Sequence, residues 1–251
     1  MSNSTVKAAI LCPASIEYQT CCELMKLSDE VELAGRLISS RYGKEIEIIA
    51  VKSGQGKIQS ASATQLIIDR YEPDILIDAG GAGALSPILS VFDIVCAEYT
   101  YEYDIIAIEE YFRLHDDLTT STILAELSEK GRDILHQFAE KIESEKSIDF
   151  AIGNVISGER RIDESKLREK LHTAFQAVAC NWESSAVLRT AQLNRVKAMS
   201  FRVLTDNASE GMSKELEENW NKALSVLYPV LEEFILGGWL TRILGSLQKE
   251  K

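Results

Sequence analysis

The sequence predicts a single α/β domain built on a central mixed, largely parallel sheet flanked by helices. Three observations point there. Short apolar, β-branched runs alternate with helical patterns along the chain. No Pro- or Ser-rich linker, internal repeat or low-complexity segment divides it. Its 251 residues are 45% hydrophobic and 26% charged, the balance of a packed globule with a sizeable core. Residues 1–251 therefore read as one domain, with 1–6 disordered and 237–251 a C-terminal tail.

The elements follow in order. Ala8-Ala9-Ile10-Leu11-Cys12 is a short apolar run closed by Pro13, which reads as a buried strand. A helical pattern from Asp29 to Tyr42 sets Ala34, Leu37 and Ile38 on one face, and Gly43 ends it. Glu45 to Val51 is a second strand. The Ser53–Lys57 glycine turn leads into a helix from Ile58 to Tyr71. Ile75-Leu76-Ile77 is a third buried strand, followed by Gly80-Gly81-Ala82-Gly83. Asp93 to Tyr103 alternates as a longer strand. Ser121 to Lys146 reads as one long amphipathic helix, with Leu124, Leu127, Ile134, Phe138 and Ile142 on its apolar side. Strand patterns return at 150–156, 177–181 and 198–204, and helices at 164–175 and 184–193. The last helix, from Ser213 to Leu236, carries Trp220, Leu224, Leu227, Leu231 and Phe234 at helical spacing, and Gly237-Gly238 breaks it.

Composition narrows the functional classes. Twenty-seven basic residues against thirty-nine acidic give a net charge of −12. Such a surface repels phosphate backbones, so nucleic acid is not expected as a partner. No apolar run reaches the roughly 18 residues needed to span a bilayer, and the first seven residues lack an apolar signal region, so neither a membrane nor secretion is expected. Five cysteines, without CxxC spacing, read as reduced thiols in a cytoplasmic protein. His115, His136 and His172 are scattered, with His136 on a helix surface. No metal or cofactor is implied.

In sheets of this kind ligands bind where strands end and loops begin. Four polar positions follow predicted strands. Glu17 comes after the first, where a solvated loop carboxylate is the ordinary explanation. The 80–83 glycines offer N–H donors and close backbone approach, or merely a tight turn; their spacing is not a dinucleotide fingerprint. Glu183, in Asn181-Trp182-Glu183-Ser184, suits either two sugar hydroxyls or a helix start. Asp206 ends an apolar strand, where an acid needs partners or serves as an N-cap.

Together these positions form a pattern. From Lys7 to about Trp220 the chain resembles the nucleoside phosphorylase/nucleosidase superfamily, and within it the 5′-methylthioadenosine/S-adenosylhomocysteine nucleosidases. The resemblance rests on Val51-Lys-Ser-Gly-Gln-Gly-Lys-Ile, then Pro73-Asp74, Gly80-Gly81-Ala82-Gly83, Asp93-Ile94-Val95, Ile156-Ser157-Gly158-Glu159, Trp182-Glu183 and Thr205-Asp206, in family order.

The resemblance implies a role for each position. Glu17 would activate the attacking water and Arg202 would help hold it. Glu183 would bind the ribose hydroxyls, with Trp182 where the family has methionine. Asp206, preceded by Thr205, would hydrogen-bond purine N7 and protonate the leaving base. Gly81 and Ile162 fall on the substrate side. The chemistry needs such a division. Cleaving a purine from ribose builds positive charge on the sugar, a purine anion leaves poorly, and so one carboxyl must arrive protonated while another accepts the water's proton.

Departures from the pattern touch the base and 5′ ends. Arg161 stands where a phenylalanine packs on adenine, Gly81 replaces a serine, and Asn207-Ala208-Ser209 replaces a more acidic segment. Trp182 or Arg161 would supply the stacking surface, unless Arg161 points to solvent. A phosphate-dependent phosphorylase is the runner-up, but Tyr71–Phe112 and Ala8–Met25 contain no Lys or Arg to hold the anion. A non-catalytic nucleoside-binding protein is third. A homodimer is expected, with the apolar residues between Leu85 and Phe92 either interface or core. Glu17, Gly81, Glu183, Arg202 and Asp206 are expected to converge on one cleft.

Overall fold

The computed structural model describes residues 5–105 and 119–247. Strands β1 (Val6–Cys12), β4 (Ile46–Lys52), β5 (Ile75–Ala84) and β10 (Lys197–Asp206) run parallel at the centre of a ten-stranded mixed sheet. These strands are buried almost throughout, which is why they read as continuous apolar runs rather than alternating ones. β5 also pairs antiparallel with β9 (Ala177–Asn181), and β10 with β6 (Ile94–Glu102). β8 (Phe150–Ser157) joins β6 and β9 in parallel. The pairings β5–β10–β6–β8–β9–β5 close a ring, and β1 and β4 extend from it.

Helices cover both faces. On one, α1 (Ser15–Leu24), α3 (Glu129–Lys146), α6 (Met212–Leu236) and α7 (Trp239–Leu244) pack over Ile10, Ile77 and Phe201. There Phe201 and Phe234 meet with ring centroids 5.0 Å apart. On the other, α2 (Lys57–Tyr71) and α5 (Ser184–Leu193) pack over Leu11, Val51 and Leu76. α4 (Ser165–Phe175) lies beside β9.

Several sequence expectations are corrected. The expected 29–42 helix is a hairpin of β2 (Ser28–Leu33) and β3 (Arg36–Tyr42). Ala34 and Gly35 join them with φ of 50° and 73°, the left-handed pair a two-residue hairpin turn requires. β3 then pairs with β4, which buries Ile38. α1 was not expected, because its apolar residues lack a strong helical stripe. The expected 121–146 helix begins only at Glu129, capped by Ser128, whose Oγ accepts from the Gly131 N–H. Before it lie β7 (Thr119–Ser121) and a 3-10 turn, Ile123–Glu126. The 237–251 tail contains α7, whose Leu240 and Ile243 are fully buried. Val6 already belongs to β1, and the remaining expected disorder, at 1–4, lies outside the described residues.

Candidate active site

The carboxyl ends of β1, β5, β9 and β10 open onto a cavity of about 140 Å³. Glu17, Gly81, Glu183, Thr205 and Asp206 all line it, as do Arg161, Ile162 and Trp182. Eight of the nine sequence-derived site residues thus line one cavity. The ninth, Arg202, is 1% exposed and stands behind the lining, against the Gly81 carbonyl.

Glu17 is not in a solvated loop. It occupies the first turn of α1 and is 3% exposed. Its Oε2 accepts from the Ala14 N–H at 2.6 Å and its Oε1 from the Gly81 N–H at 2.8 Å. Burial pushes its pKa up to about 7, against the opposing pull of Arg202 and these two N–H groups. The 80–83 glycines are not a loop either: they lie within β5, paired to Arg202–Asp206 of β10. A Cβ on Gly80 would fall 2.4 Å from Glu17 Oε1 and 3.0 Å from Arg202 Nη1. The missing side chain is what lets carboxylate and guanidinium close on the strand.

Glu183 precedes α5, and its Oε1 accepts from the Gly56 N–H at 3.0 Å. Burial raises its pKa, opposed chiefly by Arg202, whose Nη1 is 3.6 Å from Oε2. Asp206 ends β10. Its Oδ1 accepts from the Ala208 N–H and its Oδ2 from the Thr205 hydroxyl, both at 2.9 Å. Burial raises its pKa too; those two hydrogen bonds and the Arg161 cation work the other way. Arg161 is exposed yet crosses to α6, donating from Nη1 to Ser213 Oγ at 3.0 Å. Trp182 remains 36% exposed on the rim.

Sequence reasoning missed two groups. Met212, Leu216 and Trp220 of α6 give the cavity an apolar side; apolar spacing along a helix does not by itself distinguish a face on a cavity from a face on the core. Asp78, fully buried in β5, takes Arg202 Nε at 3.0 Å and Nη2 in a bidentate ion pair. It also accepts from Ser184 Oγ at 2.6 Å and Ser200 Oγ at 2.7 Å. The available signal was an acid directly after Ile75-Leu76-Ile77, with Arg202 the one cation in a late apolar strand.

Chemically, the cavity offers a carboxyl that exchanges its proton near neutrality, a second with raised proton affinity at the end of another strand, and a third whose free oxygen can accept hydroxyl hydrogen bonds. The cations on its wall are Arg160 and Arg161.

Solved structures with the same fold include 5′-methylthioadenosine/S-adenosylhomocysteine nucleosidase from Helicobacter pylori with butyl-thio-DADMe-Immucillin-A. Its TM-score is 0.80 at 22% identity, over 93% of this chain and 99% of that one. Native futalosine hydrolase of Helicobacter pylori matches with a TM-score of 0.77 at 21% identity, over 97% and 99%. In sequence, the chain is 28% identical over 204 residues to 5′-methylthioadenosine/S-adenosylhomocysteine nucleosidase of Staphylococcus epidermidis, covering 79% of this chain and 86% of that protein. The Staphylococcus aureus protein of the same name is 27% identical over 184 residues, covering 72% and 77%. The phosphorylase superfamily model matches residues 7–236. With that match running through every element of the site, the chain belongs to the phosphorylase superfamily.

Proposed function

We propose that this protein hydrolyses the N-glycosidic bond of a purine nucleoside, with 5′-methylthioadenosine and S-adenosylhomocysteine as its substrates. The observation that carries the proposal is the pair of carboxyls, Glu17 from α1 and Asp206 from the end of β10, on one cavity, each with its proton affinity raised by burial. Glu17 accepts the proton of the attacking water. Asp206 donates to purine N7 as the bond breaks. Glu183 turns its second oxygen to the ribose hydroxyls. Trp182, Ile162 and Arg161 bound the base end, and Thr205 and Gly81 orient the two catalytic carboxyls through the contacts above. The names of the two staphylococcal relatives support the substrate class.

Hydrolysis is favoured over phosphorolysis by charge. Asp78 already holds Arg202, and a phosphate at the Glu17 end would face Glu17 and Glu183 with the Gly81 N–H already used. A panel of nucleosides, each incubated with and without phosphate, tests the proposal. Free base released without phosphate is the expected result. Release only with phosphate would establish a phosphorylase, and binding without turnover a nucleoside-binding protein.

Pairing into a homodimer and a cytoplasmic setting belong to the same proposal. Among the described residues no helix is long and apolar enough to cross a membrane, and all five cysteines are free. Of the apolar residues between 85 and 92, Leu85 and Leu89 are buried within the chain, so they are core, whereas Ile88 is 82% exposed and suits a contact. Light scattering should give twice the chain mass of 27.9 kDa; a monomer at assay concentration would refute the pairing.

A further inference from the structure

Asp78 is 0% exposed and does not line the cavity, yet four donors converge on it. Arg202 supplies Nε and Nη2, and the Ser184 and Ser200 hydroxyls supply the others. Two of the four come from the guanidinium, so a buried acid and a buried cation face each other directly. The remaining arginine nitrogen, Nη1, points the opposite way. It donates to the Gly81 carbonyl at 3.2 Å and lies 3.6 Å from Glu183 Oε2. The N–H of the same Gly81 donates to Glu17. Asp78, Arg202, Gly81 and Glu17 therefore form one continuous chain of contacts across β5.

We propose that Asp78 is a positioning residue for the reaction: it aligns Arg202 and balances its charge, which leaves Glu17 able to take a proton from water. This rests on the reading of Glu17 as the base. The charge argument is direct. Around Glu17 stand Arg202 from β10, Glu183 from the β9–α5 turn, Tyr228 from α6, and the Ala14 and Gly81 N–H groups. Arg202 is the sole cation among these. An uncompensated guanidinium this close would hold Glu17 ionised and make it a poor proton acceptor. Asp78 supplies the compensating charge from the side away from the cavity.

The test follows the Glu17 carboxyl by carbon-13 NMR in protein labelled at glutamate Cδ, with the signal assigned by its loss in Glu17→Gln. Asp78→Asn is expected to lower the Glu17 titration midpoint by about one pH unit or more. Arg202→Gln is expected to raise it. Should Asp78→Asn alone fail to fold, Asp78→Ser, which also removes the carboxylate and leaves room for a water beside Arg202, is read in the same way. With 5′-methylthioadenosine as substrate, the acid limb of kcat for Asp78→Asn should move down with the titration, while KM at neutral pH changes less than threefold. A Glu17 midpoint that stays put when the Asp78 carboxylate is removed, in either variant, overturns the inference. A wild-type protein that releases no base overturns the hydrolytic reading instead, and the titration still decides the part played by Asp78.

Discussion

Glu17 should cost the protein stability at the pH where it works, and its replacement by glutamine should recover that stability. An unfolded glutamate ionises near 4.5, whereas in the fold its pKa is about 7. Between those values the folded protein binds more protons than the unfolded chain, so stability falls as pH climbs through the window. Above about 7 the full penalty stands, about 3 kcal/mol at roughly 1.4 kcal/mol per pH unit. Below about 4.5 it vanishes. Glutamine is neutral throughout. It keeps one acceptor for the Gly81 or Ala14 N–H and loses the other, at about 1 kcal/mol. The net expectation at pH 8 is a gain of about 2 kcal/mol, about 4–8 °C in Tm for a chain of this size. At pH 4.5 the gain should be absent or slightly reversed. Urea unfolding at the two pH values measures both numbers, and base release by the same variant should be lost. Equal effects at both pH values, or a destabilised Glu17→Gln at pH 8, would show that burial does not strain this carboxyl.

Asp206→Asn should lower base release from natural purine nucleosides by about 10²–10⁴-fold; full activity would remove Asp206 from the mechanism. A nitrophenyl riboside, which leaves without a proton, should partly restore turnover to Asp206→Asn but not to Glu17→Gln, and equal rescue would mean the two roles are misassigned. Gly80→Ala pushes a methyl between Glu17 and Arg202; activity should drop more than tenfold and stability by about 1–3 kcal/mol, with an unchanged kcat counting against the tight fit. Gly35→Ala meets nothing within 4 Å, so only its φ of 73° matters, and urea unfolding should register a loss of about 1 kcal/mol with base release intact.

Sequence patterning reveals elements whose burial is one-sided or complete, and it misleads where neighbours decide. Ile75–Ile77 is apolar because both faces of the sheet are covered, and Met199, Phe201, Val203 and Leu204 are apolar for the same reason, so the strand character of both segments is plain. From 29 to 42, by contrast, Ala34, Leu37 and Ile38 fit a helical stripe by spacing alone. The deciding facts are the left-handed pair at 34 and 35 and the open edge of β4, and only the second is a tertiary matter. The glycines at 80–83 resemble a turn because glycine commonly makes one. Here they are small for another reason: side chains from α1 and β10 occupy the space above the strand. Asp78 was on view in the sequence, but its value depends on Arg202 lying across a strand boundary 124 residues away, a register that composition does not encode.

The glycine stretch of β5 has a consequence for how this site can change. A cavity lined by side chains adapts by swapping them. The floor here is peptide backbone, hydrogen-bonded on both sides and filled from above by Glu17, Thr205, Asp206 and Cys180. The fit is tightest at Gly80, where an added atom would displace Glu17. Variation that alters the accepted substrate is therefore confined to the rim, at Arg160–Ile162, Trp182 and the Met212–Trp220 face of α6. Selection for a new base or 5′ group should enrich substitutions there and leave Gly80 untouched. The reaction and the choice of reactant are inherited on different parts of the chain.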